Sequence, residues 1–429
     1  MYRLLFEPAV YGIIEYQCRG VAVNVTLWML TFVNLICYLD RFIIASVSPK
    51  IQAEFGLSHA QTGMFMSAFM VGYMLTSPLF GYFGDRRSRP MLMGLGVLIW
   101  SAATLLSGMA DYFVPLMIAR VIVGVGEASF ATLAPPFIRD GLKDEATINR
   151  ALGIFYTSLP IGAAIGYMWG GYMADNFHWR WAFYLGAVPG FAITYYVWTM
   201  KEPAFRTRQL SDVPFVQSFK DLLANRDYRL AVTGYIAQTF ALGGFSAWAP
   251  QYGVDVLNVS LTESSFKVGA STLVSGLIGT LIGGKWGDIF LKNGADKSGP
   301  EAIAAFSKFS AWTSVIATPL AIWAFYAGSF NEFIVALFLV QVAIFGALAP
   351  INTAILASVP TAMSAMAFAV SIFLIHALGD VISPPLVGFL TDRMPMSQAM
   401  LVLVVALALS GVIWFAGAKP SAQSAAQKL

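Results

Sequence analysis

Charge is what this sequence has least of. Asp, Glu, Lys and Arg make up only 11% of its 429 residues, while 58% are hydrophobic and the mean hydropathy is +0.68. Soluble domains carry about 25% charged residues, so a soluble globular protein is excluded. Cysteine is almost absent. Cys18 and Cys37 are the two present, too few for a disulfide framework, and both read as free thiols. No His, Cys, Asp or Glu cluster has metal-ligand spacing. No nucleophile elbow and no phosphate loop can be found, and the glycine-rich stretches lie inside apolar runs. These gaps argue against an enzyme, a metal centre, a resident cofactor or a nucleic-acid partner. The N-terminus lacks a charged region followed by a small-residue cleavage site, so no removable signal peptide is expected.

What remains is apolar chain in long runs. A span of the bilayer needs about 20 residues, and hydropathy places twelve: 23–47, 59–82, 90–110, 114–138, 148–173, 179–200, 229–256, 262–290, 301–327, 331–358, 363–391 and 397–417. The expected fold class is therefore an all-α membrane protein of twelve transmembrane helices. Residues 1–22 read either as a short amphipathic surface helix or as a plain leader. A polar tract, 201–228, separates two six-span halves, 23–200 and 229–418, and residues 419–429 form a tail. Of the 26 Lys and Arg, twenty fall in the loops and ends on the side of the termini. Four (Lys50, Arg180, Lys267 and Arg393) fall on the other side, and Arg41 and Arg120 lie within spans. This asymmetry predicts cytoplasmic termini, in a cell inner membrane.

The halves repeat. GYFGD ends the second span at Asp85 and GKWGD ends the eighth at Asp288. GGYMAD ends the fifth at Asp175 and VGFLTD ends the eleventh at Asp392. Duplicated halves are a common architecture of secondary transporters, with the substrate site at the repeat interface near mid-membrane. Nothing in the sequence requires more than a monomer.

The most informative stretch is the fourth span, where Arg120 and Glu127 sit seven residues apart on one helical face, with Gly124 and Gly126 between them. A charge at a membrane centre costs about 2.5–3.5 kcal/mol on insertion scales, so these charges are expected to be paired and used. Asp40-Arg41 in the first span matches Arg120 in depth, which predicts an Asp40–Arg120 pair. Glu127 is a titratable carboxyl in a low-dielectric setting and is a candidate proton carrier. Either pair can equally be a static lock between helices. Gly162, Gly166, Gly170 and Gly171 form a close-packing face in the fifth span. His376 and Asp380 share a face in the eleventh, just before Pro384-Pro385. Gly243-Gly244, Trp248 and Pro250 mark a bendable seventh span with an aromatic near one end. The expected cavity residues are Arg120, Glu127, Trp248, His376 and Asp380, with an apolar second-half wall.

The turn Gly81-Tyr-Phe-Gly84-Asp85-Arg86-Arg87-Ser88-Arg89 resembles the loop 2–3 signature of the major facilitator superfamily, and Asp288 closes its counterpart. Gly81, Gly84, Asp85, Arg86, Arg89 and Asp288 are therefore expected to form a gating latch. RVIVGVG is similar to the superfamily's fourth-span pattern. Taken with YLDR, GVGEAS, IFYTSLPIGAAIGYMWGG and HALGDVISPPLVGFLTD, the chain resembles the Spinster family of that superfamily. The resemblance implies two pseudo-symmetric six-helix bundles and a proton-linked carrier of lysophospholipids or sphingoid phosphates. Asp40, Arg41, Arg120 and Glu127 would carry the family's charged roles. Two other readings stay open: a proton-coupled symporter of small organic anions, and a lipid scramblase or receptor without coupling.

Overall fold

The computed structural model describes residues 16–18, 21–23, 25–84, 86–142, 145–203, 215–287, 299–360 and 363–419. Helices dominate. The first half holds α1 (Val25–Phe55), α2 (His59–Gly84), α3 (Arg89–Met109), α4 (Phe113–Asp140), α5 (Glu145–Asn176) and α6 (Trp179–Thr199). The short helix α7 (Phe215–Ala224) lies in the polar tract and buries Leu222 against the second half. The second half holds α8 (Arg226–Asp255), α9 (Leu261–Gly287), α10 (Pro300–Phe325), α11 (Phe330–Ala357), a broken span of α12 (Ser364–Ile375) and α13 (Ser383–Thr391), then α14 (Met396–Ala399) and α15 (Leu401–Gly417). Among the described residues, nine of the twelve spans are long and apolar enough to cross a membrane by length and composition. The other three, α6, α8 and α10, are of matching length and complete the two bundles of six.

Ahead of α1 the described backbone is extended. Tyr16–Cys18 and Val21–Val23 pair as a small antiparallel hairpin, with Gln17 opposite Ala22. A surface helix over this stretch is therefore not formed. Val21 and Val23 are β-branched residues, stiff at χ1 and suited to an extended backbone. The rest of the 1–22 leader lies outside the described residues.

Both halves use one packing scheme. In the first, α1 packs on α5, α2 on α4, and α3 on both α4 and α6. In the second, α8 packs on the broken span, α9 on α11, and α10 on both α11 and α15. The sequence repeat is thus a repeat of helix partners. The halves meet along α5–α9 and α2–α13.

The apolar core shows which way the molecule is shut. One cluster crosses both halves at the end carrying the α1–α2 and α8–α9 turns, joining Ile43, Met66 and Phe183 to Phe245, Trp248 and Phe325. Towards the end carrying the α2–α3 turn, the core splits in two. Trp100, Phe130 and Phe155 belong to the first half, and Tyr228, Phe306 and Trp414 to the second. The first end is therefore closed and the second open.

Candidate transport site

Helix α4 is wedged between α2 and α3 because it carries glycine where each neighbour approaches. A Cβ at Gly124 would overlap the Phe69 carbonyl of α2, and one at Gly126 would overlap the α3 backbone at Gly96 and Trp100. These contacts draw α4 inward and fix the depth of its two charges. Gly162, Gly166 and Gly170 of α5 lie against α1 in the same way, while Gly171 meets Ser265 of α9.

The four buried charges form two ion pairs between α1 and α4. Arg120 Nη1 donates to Asp40 Oδ2 at 3.4 Å, with both side chains almost fully buried. Arg41 Nη2 donates to Glu127 Oε2 at 2.9 Å, with Glu127 fully buried and Arg41 16% exposed. Thr104 of α3 stands beside Asp40, and Cys37, a buried free thiol, beside Glu127. The Arg41 guanidinium also lies over the rings of Tyr38, Phe69 and Tyr73, at 4.8, 4.5 and 5.3 Å from their centroids, a cation–π cradle. The polar valence of the quartet is only part-filled. Asp40 Oδ1, Glu127 Oε1, Arg41 Nε, and Arg120 Nε and Nη2 are buried without a hydrogen-bond partner.

Depth matching predicts the Asp40–Arg120 pair but not its neighbour. Side chains lean toward the N-terminus of their own helix. Arg41 on α1 therefore bends back toward the open end and meets Glu127, two turns beyond Arg120.

Between the halves lies a cavity of about 490 Å³. Arg41, Asn34, Tyr38, Phe69 and Tyr73 line one side, and Tyr235, Gln341, Asn352, His376 and Asp380 the other. At its closed-end side it is floored by Ala45 and Ala247, both buried. Toward the open end its wall includes Tyr156 and Phe368, which are 49% and 38% exposed. Arg41 is the guanidinium on this wall. Arg120 and Glu127, expected in the cavity, are buried behind it. Trp248 is also off the wall: it is fully buried, and its Nε1 donates to the Pro384 carbonyl at 3.0 Å.

The second-half wall is more polar than its sequence suggests. His376 Nδ1 contacts both Asp380 oxygens, at 2.9 and 3.1 Å. Residues His376–Asp380 form a π-turn, and α13 starts anew at Ser383 with its prolines in the first turn, where a missing N–H costs little. The break thus precedes Pro384 and Pro385, and it turns the charged pair toward the cavity. Gln341 bonds Ser271, Ser275 and Thr272 at 2.8, 3.1 and 2.9 Å.

At the open end, Gly84 packs on Leu133 and Gly81 lies near Thr132. Arg86 is exposed over the Tyr82 ring. Arg89 is buried, its Nη1 donating to Asp140 at 2.7 Å and its backbone N–H to Glu202 at 2.9 Å. Asp140 and Glu202 were not marked by any sequence signal. Asp85 and Asp288, the motif carboxylates, lie outside the described residues.

The repeated carboxylates Asp175 and Asp392 each find partners in the other half at the closed end. Asp175, ending α5, accepts from the backbone N–H and hydroxyl of Thr262, both at 3.1 Å, and pairs with Lys50 at 3.1 Å. Asp392, following α13, accepts from the His59 and Ala60 N–H groups at 2.8 and 3.0 Å and contacts the His59 ring at 3.0 Å. Each carboxylate thus caps the first turn of a helix in the other half, where its charge complements the positive helix end. Partial burial alone would raise the Asp392 carboxyl, but its Ala60 and His59 bonds outweigh that and hold it below the usual range.

The chain matches the family model described as Major Facilitator Superfamily over residues 30–384. An Arabidopsis thaliana protein named "Probable sphingolipid transporter spinster homolog 1" is 30% identical over 91% of this chain and 87% of its own length. The chain belongs to the Spinster family of the major facilitator superfamily. It is a multi-pass membrane transporter, and the family's twelve-helix fold is the one described above. Another Spinster relative, "Protein spinster" of Drosophila melanogaster, is 32% identical over 86% of the chain, which spans 62% of that protein's length. A solved bacterial homologue of the human lysosomal transporter Spinster, in an inward-facing and unoccupied conformation, superposes with a TM-score of 0.78 at 22% identity, covering 91% of this chain and 96% of that one. At that identity the likeness concerns the fold.

Proposed function

We propose that this Spinster-family chain is a proton-coupled carrier that moves an amphiphilic lipid, a lysophospholipid or sphingoid phosphate, by alternating access. It works as a monomer in the cell inner membrane with both termini in the cytoplasm, so the open end faces the cytoplasm. The lysine and arginine asymmetry supports that orientation, and the name of the Arabidopsis relative supports a sphingolipid-like substrate.

The observation that carries the reading is Arg41: the guanidinium on the cavity wall is ion-paired to a fully buried carboxylate, Glu127. An anionic head group that takes Arg41 leaves Glu127 buried and unpaired, a state several kcal/mol uphill. Protonation of Glu127 relieves that cost. Head-group binding and proton binding are then linked, because each becomes easier when the other has occurred. Asp40 and Arg120 behind them hold a second pair that can exchange partners with the first. Phe69, Met70, Phe345, Leu348 and Phe368 on the wall suit an acyl tail.

The test is uptake of labelled lysophospholipid into liposomes holding the purified protein, with and without an imposed pH gradient. Wild type should give saturable, gradient-sensitive flux. Glu127→Gln, a near-isosteric change, should abolish the gradient response while the protein stays folded. Unchanged flux and pH response in that variant would refute the coupling. Competition by short-chain acids but not by lysolipids would favour small organic anions. Unsaturable, pH-independent flux of bulk phospholipids would mark a scramblase.

A further inference from the structure

Two prolines take matching places near the closed ends of the first helix of each half: Pro49 inside α1 and Pro250 inside α8. Proline has no N–H, so each leaves the carbonyl four residues earlier without its helical donor. Those carbonyls belong to Ala45 and Ser246. Water is scarce inside a bilayer, so a freed carbonyl there needs a substitute donor.

The two helices find that donor differently. The Ala45 carbonyl accepts from Ser48 Oγ of its own helix at 2.9 Å. This cap travels with α1 whichever end of the molecule is open. The Ser246 carbonyl instead accepts from the Tyr167 hydroxyl at 2.6 Å. Tyr167 is on α5 of the first half and Ser246 on α8 of the second, so this cap spans the halves.

Both partners are held for the contact. Tyr167 is fully buried, and the Phe42 ring meets its ring edge-on at 5.0 Å. Gly269 of α9 makes room for it, since a Cβ there would lie 3.2 Å from the Tyr167 Cβ. Ser246 lies between Gly243-Gly244 and Pro250, the stretch of α8 with the weakest hold on its own shape. Past that stretch α8 is tied to its own half, with Ser264 Oγ donating to the Pro250 carbonyl at 2.8 Å. Ser246 also lines the cavity, so its carbonyl meets water once the halves part.

We infer that Tyr167 is a positioning residue of the transport cycle: its hydroxyl fills the carbonyl that Pro250 leaves unbonded in α8, so the first half holds the seventh span in its closed-end shape and releases it on opening. This rests on the alternating-access part of the proposed function and adds a hinge to it. The first span has its cap within itself and stays rigid, while the seventh bends with the state of the molecule.

The experiment measures distances between spin labels at Asp111 and Tyr326, exposed positions on opposite halves of the closed end, on protein in nanodiscs. Tyr167→Phe keeps the ring and removes the donor. It should raise the open-to-closed ratio about fivefold or more, the effect of leaving a buried acceptor unpaired. Pro250→Ala restores the missing N–H, so Ser246 no longer depends on Tyr167, and the ratio should rise in the same direction. Both changes remove one and the same advantage of the closed state. The double variant should therefore open no further than the larger single one, whereas additive shifts would overturn the inference. An unchanged ratio in folded Tyr167→Phe would also overturn it. If Tyr167→Phe does not fold, an unchanged ratio in Pro250→Ala overturns it alone. Two wild-type populations that neither variant moves would leave alternating access standing without this hinge. A single wild-type distance at every pH, with and without lysophospholipid, would remove both.

Discussion

The two carboxylate caps at the closed end should set how often the carrier opens there. In the closed state Asp392 accepts at 2.8 and 3.0 Å from two backbone N–H groups of α2 and contacts the His59 ring at 3.0 Å. Asp392→Asn keeps one acceptor oxygen but removes the charge and the second acceptor. Hydrogen bonds to charged groups are worth about 1.5–3 kcal/mol. The Asp392 side chain is 22% exposed, so solvent holds the loss toward the low end of that range. The substitution should shift the closed-to-open ratio roughly tenfold toward opening. Asp175→Asn weakens the symmetry-related cap and shares no partner with Asp392, so the two effects should add. Spin labels at Asp111 and Tyr326, both exposed and on opposite halves of the closed end, would report the distance between the halves, with Cys18 replaced by Ser. The single variants should populate a longer distance and the double variant more so. An unchanged distance distribution in the double variant would refute the latch. The pH sign follows from the depressed Asp392 carboxyl. Its contribution is present above the ordinary carboxyl range near 3.9 and is lost only as pH falls through the lower, closed-state value. The Asp392 cap should hold at neutral pH and fail in strong acid.

Two further outcomes are expected. Asp40→Asn leaves the fully buried Arg120 without its ion-pair partner, which should cost about 3–5 kcal/mol, whereas Asp40→Asn with Arg120→Gln should recover much of it; thermal unfolding in detergent measures both, and equal loss in single and double variants would show that the pair is not coupled. Gly124→Ala should destabilise by about 1–3 kcal/mol because its Cβ meets the Phe69 carbonyl, while Gly153→Ala, with no atom within 4 Å of the new Cβ, should be neutral or slightly stabilising; similar melting shifts for the two would contradict the close-packing argument.

The sequence by itself determined the class and the scaffold. Too little charge for a soluble domain, apolar runs of helical-span length and a repeated GxxxD ending point to twelve helices in two related halves, because a run of about 20 apolar residues, too long for a barrel strand, satisfies its backbone in the bilayer as a helix. It also marked the buried charges, since an ionisable residue inside an apolar run is costly enough to need a partner. Side-chain direction and helix neighbours were decided only in three dimensions. Equal depth identifies Asp40 with Arg120, but the lean of Arg41 along its own helix gives Glu127 its partner and puts Arg41, not Arg120, on the cavity wall. The π-turn ahead of Pro384 faces His376 and Asp380 toward Tyr73 across the halves, which no periodicity could specify. Asp175 and Asp392 were visible as a repeat, but their role as reciprocal caps depends on which helix start each one meets. Local pattern fixes what a residue must avoid, and the packing of distant helices fixes what it finds instead.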